Sequence, residues 1–341
     1  MAAPKIICMT PVKNESWILD RFLKCASLWA DHIIIADQMS DDGSAEIASN
    51  YPKVTIVKNE SPIFNEPERQ ELLIQEARKI PGPRLLIALD SDEFLTSDFM
   101  FSPEWDTIIK APEGTVIRFQ LPVILPDLRS YWMPKFTVPM GYMDDGAKHV
   151  GRKIHSPRIP IPNTASTIVL REIKVMHYVG IDSDRWESKH RWYQCWEHIN
   201  QPQKSAVDIF RQYHRKDVIP DQEIKPMPSK WLKGYESHYI DMTSSYREPF
   251  FQTDKMVLDF LLEHGSEKFR HIDIWNVDWS DCHKKIYGRE STRSLKDPRN
   301  RFEKIVHYWL RQTQYQFTYF SRHRMNIVTR IIQSIIKCFG W

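Results

Sequence analysis

Leu85-Leu86-Ile87-Ala88-Leu89-Asp90-Ser91-Asp92-Glu93-Phe94 decides the reading of this chain. The short apolar run follows the breakers Pro81-Gly82-Pro83 and reads as a strand buried on both faces. Three carboxylates at its carboxyl end would repel one another unless a cation stands among them. In an open α/β sheet the crevice beyond the strand ends is where ligands bind. Asp-x-Asp in that place suits a hard divalent ion, which takes carboxylate oxygens and keeps positions for substrate phosphates. The competing reading is a helix amino terminus, which also favours acidic side chains.

Upstream, the pattern alternates. Residues 5–10 read as a strand, 15–30 as a helix, 32–36 as a strand, 45–49 as a short helix and 54–58 as a strand. Residues 66–78 form a longer helix that leads to the strand before Asp90. Strand–helix repetition with short connections implies an α/β fold with a parallel sheet and right-handed crossovers. Beyond Thr115 the rhythm changes. Residues 116–120 read as a strand, and the proline-rich, aromatic stretch 121–139 as a long ordered loop. Residues 171–178 suit a strand with Ile173, Val175 and His177 on one face, and 184–200 a helix. Few elements are evident over 201–249, and 248–264 reads helical.

Composition narrows the class. Hydrophobic content of 42% and charged content of 27% over 341 residues are those of a globular protein. A net charge of +3 gives no footprint for nucleic acid. The five cysteines are odd in number and widely spaced, which indicates neither a zinc site nor a disulfide framework. Cys8 and Cys25 sit in apolar patterns as buried thiols, and a reducing compartment is expected. The first strand begins within five residues of Met1, leaving no room for a signal peptide, and no run of about 20 apolar residues is present. The expected location is cytoplasmic, with the inner face of the membrane as an alternative.

Two further turns join the argument. Asp37 ends the second strand, and the strands carrying Asp37 and Asp90 are expected to be neighbours opening onto one crevice. One carboxylate would then meet a base or ribose, while the other pair holds metal and pyrophosphate. Pro11-Val12-Lys13-Asn14-Glu15 after the first strand would form a further wall, although Pro11 and Asn14 equally suit a simple turn and cap.

Thr10-Pro-Val-Lys-Asn-Glu-Ser, Ile33-Ile-Ile-Ala-Asp-Gln-Met-Ser-Asp-Asp-Gly-Ser and Leu89-Asp-Ser-Asp-Glu-Phe-Leu together resemble the family-2 glycosyltransferases, in particular a subgroup with an Asp-x-Asp-Glu-Phe motif. The resemblance covers about residues 4–100. It implies a GT-A (Rossmann-like) mixed sheet flanked by helices, with Mn²⁺ or Mg²⁺ as cofactor. It also implies a nucleotide-sugar donor, UDP- or GDP-linked, and a glycan or glycolipid acceptor hydroxyl attacked with inversion. Carried over by residue, Asp37 would contact the base, Pro11 and Glu15 would line the nucleotide pocket, Asp90 would face the ribose or metal side, and Asp92 would ligate the cation directly. Asp37 is separated from Asp41-Asp42 by Gln-Met-Ser, where the family often writes adjacent acids. The alternatives are a non-catalytic glycan- or partner-binding module and a sugar-nucleotidyltransferase. The latter needs a Gly-rich loop where this chain has Pro-Val-Lys-Asn-Glu.

An acceptor hydroxyl needs a base, and Asp144 and Asp145 compete with Asp182, Asp184 and Glu187. Asp144 and Asp145 lie on a loop flanked by Gly141 and Gly146, and Asp184 opens the following helix. Each has a structural alternative, as a solvated turn or a helix cap. His177 at a late strand end is either a metal or pyrophosphate ligand or a satisfied structural histidine. Lys189, one turn beyond Arg185, could reach a diphosphate or sit on a solvated basic face. Trp132, Trp186, Trp192 and Trp196 are candidates for stacking on sugar, against the alternative of core packing. The tail carries Arg322, His323, Arg324, Arg330 and Lys337, with Ile327, Val328, Ile331, Ile332, Ile335 and Ile336 at helical spacing. It can lie on an anionic membrane, associate with a twin, or pack on its own chain. The expected partition is a catalytic domain over 1–200, an acceptor-side helical region over 201–316 and a basic amphipathic helix over 317–341.

Overall fold

A computed structural model describes residues 3–61, 64–244, 250–318 and 325–341. Two compact units are present: Met1–Ile181 with Lys225–Arg247, and Asp182–Ile224 with Glu248–Trp341. The expected partition at residues 200 and 316 is not the one the packing follows. The helix expected to close the first domain instead packs on its successors, and a short later segment returns to the sheet-bearing unit.

The first unit opens with β1 (Lys5–Val12), α1 (Ser16–Ala26), β2 (His32–Asp37), α2 (Ser44–Ser49), β3 (Val54–Lys58), α3 (Glu66–Arg78) and β4 (Arg84–Ala88). It continues through β5 (Glu93–Leu95), α4 (Pro103–Ile109), β6 (Val116–Gln120), β7 (Val123–Ile124), β8 (Ser130–Trp132), β9 (Thr137–Met143), β10 (Thr167–Val169) and β11 (Val175–His177). The chain then enters the second unit with α5 (Ser183–Asn200) and α6 (Ala206–Tyr213). It returns with β12 (Lys225–Pro226) and α7 (Lys233–Ser237), and ends in α8 (Gln252–His264), α9 (Trp279–Tyr287), α10 (Arg301–Gln312) and α11 (Ile327–Cys338).

Seven strands form the main sheet in the order β10-β6-β9-β4-β1-β2-β3. β1, β2, β3 and β4 run parallel, whereas β9 is antiparallel to both β4 and β6. This is the expected α/β class, a mixed sheet flanked by helices with a helical C-terminal part. Both faces of β1 and β4 are covered, which is why their sequences are continuous apolar runs rather than alternating ones. Ile18, Leu19, Phe22 and Leu23 of α1 pack over Ile6, Cys8, Ile33 and Ile87, while Leu73, Ile74 and Ala77 of α3 pack over Ile7, Met9, Ile34 and Leu86. Burial raises the thiol pKa of Cys8 and of Cys25, as expected for structural cysteines.

Residues 121–139 are not one loop. They contribute β7, β8 and the start of β9, and a second sheet assembles in the order β12-β8-β7-β11-β5. These strands are two or three residues long, too short for periodicity to register. Trp132 is buried in this region, as are Trp192 and Trp196 in the second unit, so all three serve as core rather than as exposed sugar platforms.

In the second unit, ion pairs to buried carboxylates stand among the helices. Arg191 makes a bidentate contact with Asp254, and Asp273 receives Arg311 through two bonds of 2.9 Å. Arg211 donates to the carbonyl of Leu310 and to Thr313 and Gln314. Among the described residues, no helix is long and apolar enough to cross a membrane.

Candidate functional site

The chain winds from β1 through β2 to β3 on one side, then crosses to β4 on the other. The gap between the carboxyl ends of β1 and β4 is therefore the topological switch point, where an open α/β sheet takes its ligand. Contrary to the expectation from the sequence, β2 and β4 are not neighbours: β1 stands between them. Two strand spacings separate the turns, roughly 10 Å, and Pro11 at the end of β1 fills the interval.

The turns after β1 and β2 are laced together. Asn14, in a left-handed conformation (φ 56°), exchanges hydrogen bonds with Asp41, and its backbone N–H donates to Ser40. Asp42 accepts from the backbone N–H of Ser16 at 2.8 Å and from Ser44 at 2.7 Å. Burial would raise the Asp42 pKa, but these hydrogen bonds outweigh it and hold the carboxyl below its usual range. Glu15 is held by the indole N–H of Trp17 at 2.8 Å. Asp41, Asp42 and Glu15 therefore work as braces. Asp37 differs. Its Oδ2 accepts a 3.3 Å bond from the Ser40 N–H, while its buried Oδ1 has no hydrogen-bond partner among the described residues.

The three acids after β4 separate into two groups. Arg158 donates to Asp90 Oδ2 at 2.8 Å and to both oxygens of Glu93, one of them at 3.0 Å. Burial alone would lower the guanidinium pKa, but Asp90 and Glu93 outweigh it and raise it. The cation that the acidic cluster demands is thus supplied for two members by the protein itself. Glu93 also accepts from the Asp90 N–H at 2.9 Å, closing the turn, and Phe94 packs edge-on against Tyr178 at 4.8 Å. Sequence reasoning missed Arg158, which lies in an irregular segment between Pro157 and Pro160 with no periodic signal; only the excess of negative charge pointed to such a residue.

Asp92 belongs to the other group. Because β5 pairs antiparallel with β11, His177 stands opposite Glu93, and its Nε2 comes within 3.6 Å of Asp92 Oδ2. The Asp92 carbonyl accepts from the Tyr178 N–H at 2.8 Å, fixing the register. His177 Nε2 is buried and without a hydrogen-bond partner among the described residues. A carboxylate and an imidazole facing each other in this way fit a divalent cation, Mn²⁺ more naturally than Ca²⁺. Among the described residues no group of three or more His, Cys, Asp or Glu converges as a ready metal cage. Two protein donors are the complement expected where substrate phosphates complete the shell.

Asp144 and Asp145 lie elsewhere. The antiparallel course of β9 brings Met143 beside Leu85, and the Asp144 N–H donates to the Arg84 carbonyl at 2.9 Å. Both acids are consequently at the amino end of β4, roughly 20 Å from Asp90 at the usual rise per residue. The Asp144 carboxylate is fully buried and accepts from Arg78 at 2.9 Å and Arg84 at 3.0 Å. Asp145 accepts from the Tyr142 hydroxyl and from the Ala147 N–H. Neither can act as base at the switch point. Asp184 and Lys189 stand on α5 in the second unit, where Asp182 caps the helix by accepting from the N–H groups of Asp184 and Arg185. That unit holds a cavity of about 370 Å³ lined by His190, Gln194, Phe210, His214 and Asp273, among others, but not by Asp184 or Lys189.

No protein-family model matches the chain, and no curated protein sequence does. Among solved structures it is similar to glucosyl-3-phosphoglycerate synthase from Mycobacterium tuberculosis in complex with Mn²⁺, UDP and glucosyl-3-phosphoglycerate. That likeness has 17% identity over 35% of this chain and 44% of the synthase, at a TM-score of 0.26. It is also similar to a glycosyltransferase involved in the glycosylation of the major capsid of PBCV-1, with 13% identity over 53% of this chain and 97% of that one, at a TM-score of 0.29. A 4-diphosphocytidyl-2C-methyl-D-erythritol synthase aligns at 12% identity over 42% of this chain and 76% of its own, at a TM-score of 0.27. The chain spans less than half the length of the mycobacterial synthase.

Proposed function

We propose that this protein is a metal-dependent glycosyltransferase that moves a sugar from a UDP- or GDP-linked donor to a hydroxyl of a glycan or glycolipid, with inversion. The observation that carries the reading is the Asp92–His177 pair at 3.6 Å, at the switch point of the sheet, with the buried imidazole Nε2 making no hydrogen bond among the described residues. Asp92 and His177 are the residues proposed to hold Mn²⁺ or Mg²⁺ beside the donor's diphosphate. When bound, the ion would stabilise the negative charge that develops on the departing diphosphate oxygen. Asp37, with its free Oδ1, is proposed to accept a hydrogen bond from an N–H of the nucleotide base, and Pro11 to line the path between base and diphosphate. Arg158 holds Asp90 and Glu93 in one turn through its hydrogen bonds, and Asp92 is the acid of the three that faces His177. In the reaction itself, an acceptor oxygen forms a bond to the anomeric carbon as the bond to the donor phosphate breaks, and the hydroxyl proton leaves to a base. The proposed site is built from the first unit alone.

The test is a thermal-shift and donor-hydrolysis panel of UDP- and GDP-sugars with Mn²⁺, run on the wild type and on Asp92→Ala. Metal-dependent stabilisation by at least one donor, absent from Asp92→Ala, is the expected result. If no donor stabilises the wild type in the presence of metal, the transferase reading fails. Equal stabilisation of the variant removes Asp92 from the metal.

A further inference from the structure

Helix α11 is turned inside out. The side chains it buries are Thr329, Gln333 and Ile336, whereas Ile327, Val328, Ile331, Ile335 and Phe339 are each more than half exposed. Ile327, Ile331, Ile335 and Phe339 follow one another at intervals of four, which makes a single ridge along the helix. The inward contacts are polar and specific. Thr329 accepts from Gln316 at 3.0 Å, Gln333 accepts from Arg211 at 3.3 Å, and Lys337 reaches Asp208 at 2.7 Å. These bonds hold the helix with its apolar ridge outward, so the exposure is a property of how it is anchored and not of a loose end.

The preceding helix repeats the arrangement. α10 buries Glu303, Val306, His307 and Leu310 and exposes Phe302, Ile305 and Tyr308. An aqueous amphipathic helix places its apolar stripe against the core, and neither of these does so fully. Contiguous exposed apolar surface of this kind marks an interaction site. Its composition suits a bilayer interface: aliphatic and aromatic side chains on one face, with cationic side chains beside them. Residues 301–341 carry seven Lys and Arg against the single acid Glu303; Lys304, Arg311 and Lys337 are paired with Asp297, Asp273 and Asp208, while Arg301 and Arg330 are exposed. Arg322, His323 and Arg324 lie outside the described residues.

We propose that α11, with the exposed stripe of α10, docks the protein on the surface of an anionic phospholipid bilayer. The Ile327–Ile331–Ile335–Phe339 ridge enters the acyl boundary while the basic side chains meet the headgroups. An uncharged apolar partner would have no use for the one-sided charge. A second copy of this chain would bring the exposed, like-charged Arg301 and Arg330 to the interface, which disfavours that occupant. The proposal stands apart from the transferase reading and needs no enzymatic activity for its test.

The experiment is flotation of the full chain with vesicles of pure phosphatidylcholine or of phosphatidylcholine with phosphatidylglycerol in equal parts. The comparison protein is Ile331→Glu/Ile335→Glu, with melting temperatures and lipid-free sedimentation measured on both. The wild type is expected to float with anionic vesicles and to be released by salt, and to bind pure phosphatidylcholine at least tenfold more weakly. The double variant, altered only at exposed positions, is expected to keep its melting temperature and lose at least tenfold in vesicle binding. Absence of flotation with anionic vesicles, or equal flotation of the variant, overturns the proposal. A lipid-free dimer that the double variant dissolves also overturns it, by assigning the ridge to a second copy.

Discussion

The two ends of the main sheet each carry a cluster of acids with arginine, and they are built for different purposes. At the amino end of β4, Asp144 is fully buried, faces two guanidiniums and also accepts from the Gly146 N–H. At the carboxyl end, one guanidinium serves Asp90 and Glu93 together, and Asp92 faces an imidazole whose Nε2 makes no hydrogen bond among the described residues. Asp37, two strands away, keeps a buried oxygen unpartnered. The first cluster is electrically closed and the second is open. Buried polar atoms without partners are rare in folded proteins and are expensive. Two of them stand beside the topological switch point, which is what the proposed ligand site rests on. Acidity and a glycine-flanked turn do not distinguish the two ends; hydrogen-bond saturation does.

The largest effect that would break this contrast lies at Asp92. Asp92→Asn should cut transfer by about 10³-fold, or about 4 kcal/mol of barrier, with the melting temperature nearly unchanged. Steady-state rates at saturating Mn²⁺ and a thermal melt check both parts. His177→Ala should behave similarly but less severely, by about 10²-fold, and partial recovery at raised Mn²⁺ would sharpen its assignment.

Asp144→Asn comes next and should act on stability instead. It leaves Arg78 and Arg84 without their shared anion, a loss of about 3 kcal/mol, read by urea titration. The pH dependence has a definite sign. Burial pushes the Asp144 pKa up, but the hydrogen bonds from Arg78, Gly146 and Arg84 outweigh it and hold the folded value low. A carboxyl depressed on folding contributes stability that is fully present above its unfolded pKa, near 4. That contribution is lost as pH falls through the lower folded value. The gap between wild type and Asp144→Asn should therefore be full at neutral pH and narrow below pH of about 4. Catalytic rates of the folded variant should stay within about twofold; a larger fall would return Asp144 to the list of candidate bases.

Legibility followed how local each signal was. The four parallel strands, the turns at Pro11 and Asp37 and the Asp-x-Asp junction are written in contiguous residues, and the structure has all three turns along one edge, with Pro11 between Asp90 and Asp37. Which end of the sheet a loop occupies is not local. Residues 121–139 read as a loop, and only the antiparallel pairing of Gly141, Tyr142 and Met143 with β4 puts the following acids at the end of the sheet away from Asp90. Arg158 illustrates the same limit from the other side. It reaches Glu93 across 65 residues, and nothing in the prolines around it announces the pairing. In α11 the helical spacing is plain in the sequence, but the identity of the buried face depends on Gln316 and Arg211, which bind its polar side.

The smallest expected effect is the sharpest probe of the contrast, because it repeats one chemical change at both ends. Asp37→Asn alters a carboxylate that gives one oxygen to the Ser40 N–H and leaves the other bare. Unlike Asp144→Asn, it strips no arginine of its anion, so the melting temperature should hold or rise slightly. What changes is the group offered to the nucleotide. The amide can turn its oxygen toward Ser40 or toward the ligand, but only the carboxylate supplies an acceptor in both directions at once. The donor KM should rise about tenfold, close to 1.4 kcal/mol, with kcat within about twofold. The loss should be carried by donors whose base presents an N–H. A drop in stability matching that of Asp144→Asn would mean that Asp37 is held as tightly as Asp144, and the two ends of the sheet would then be alike.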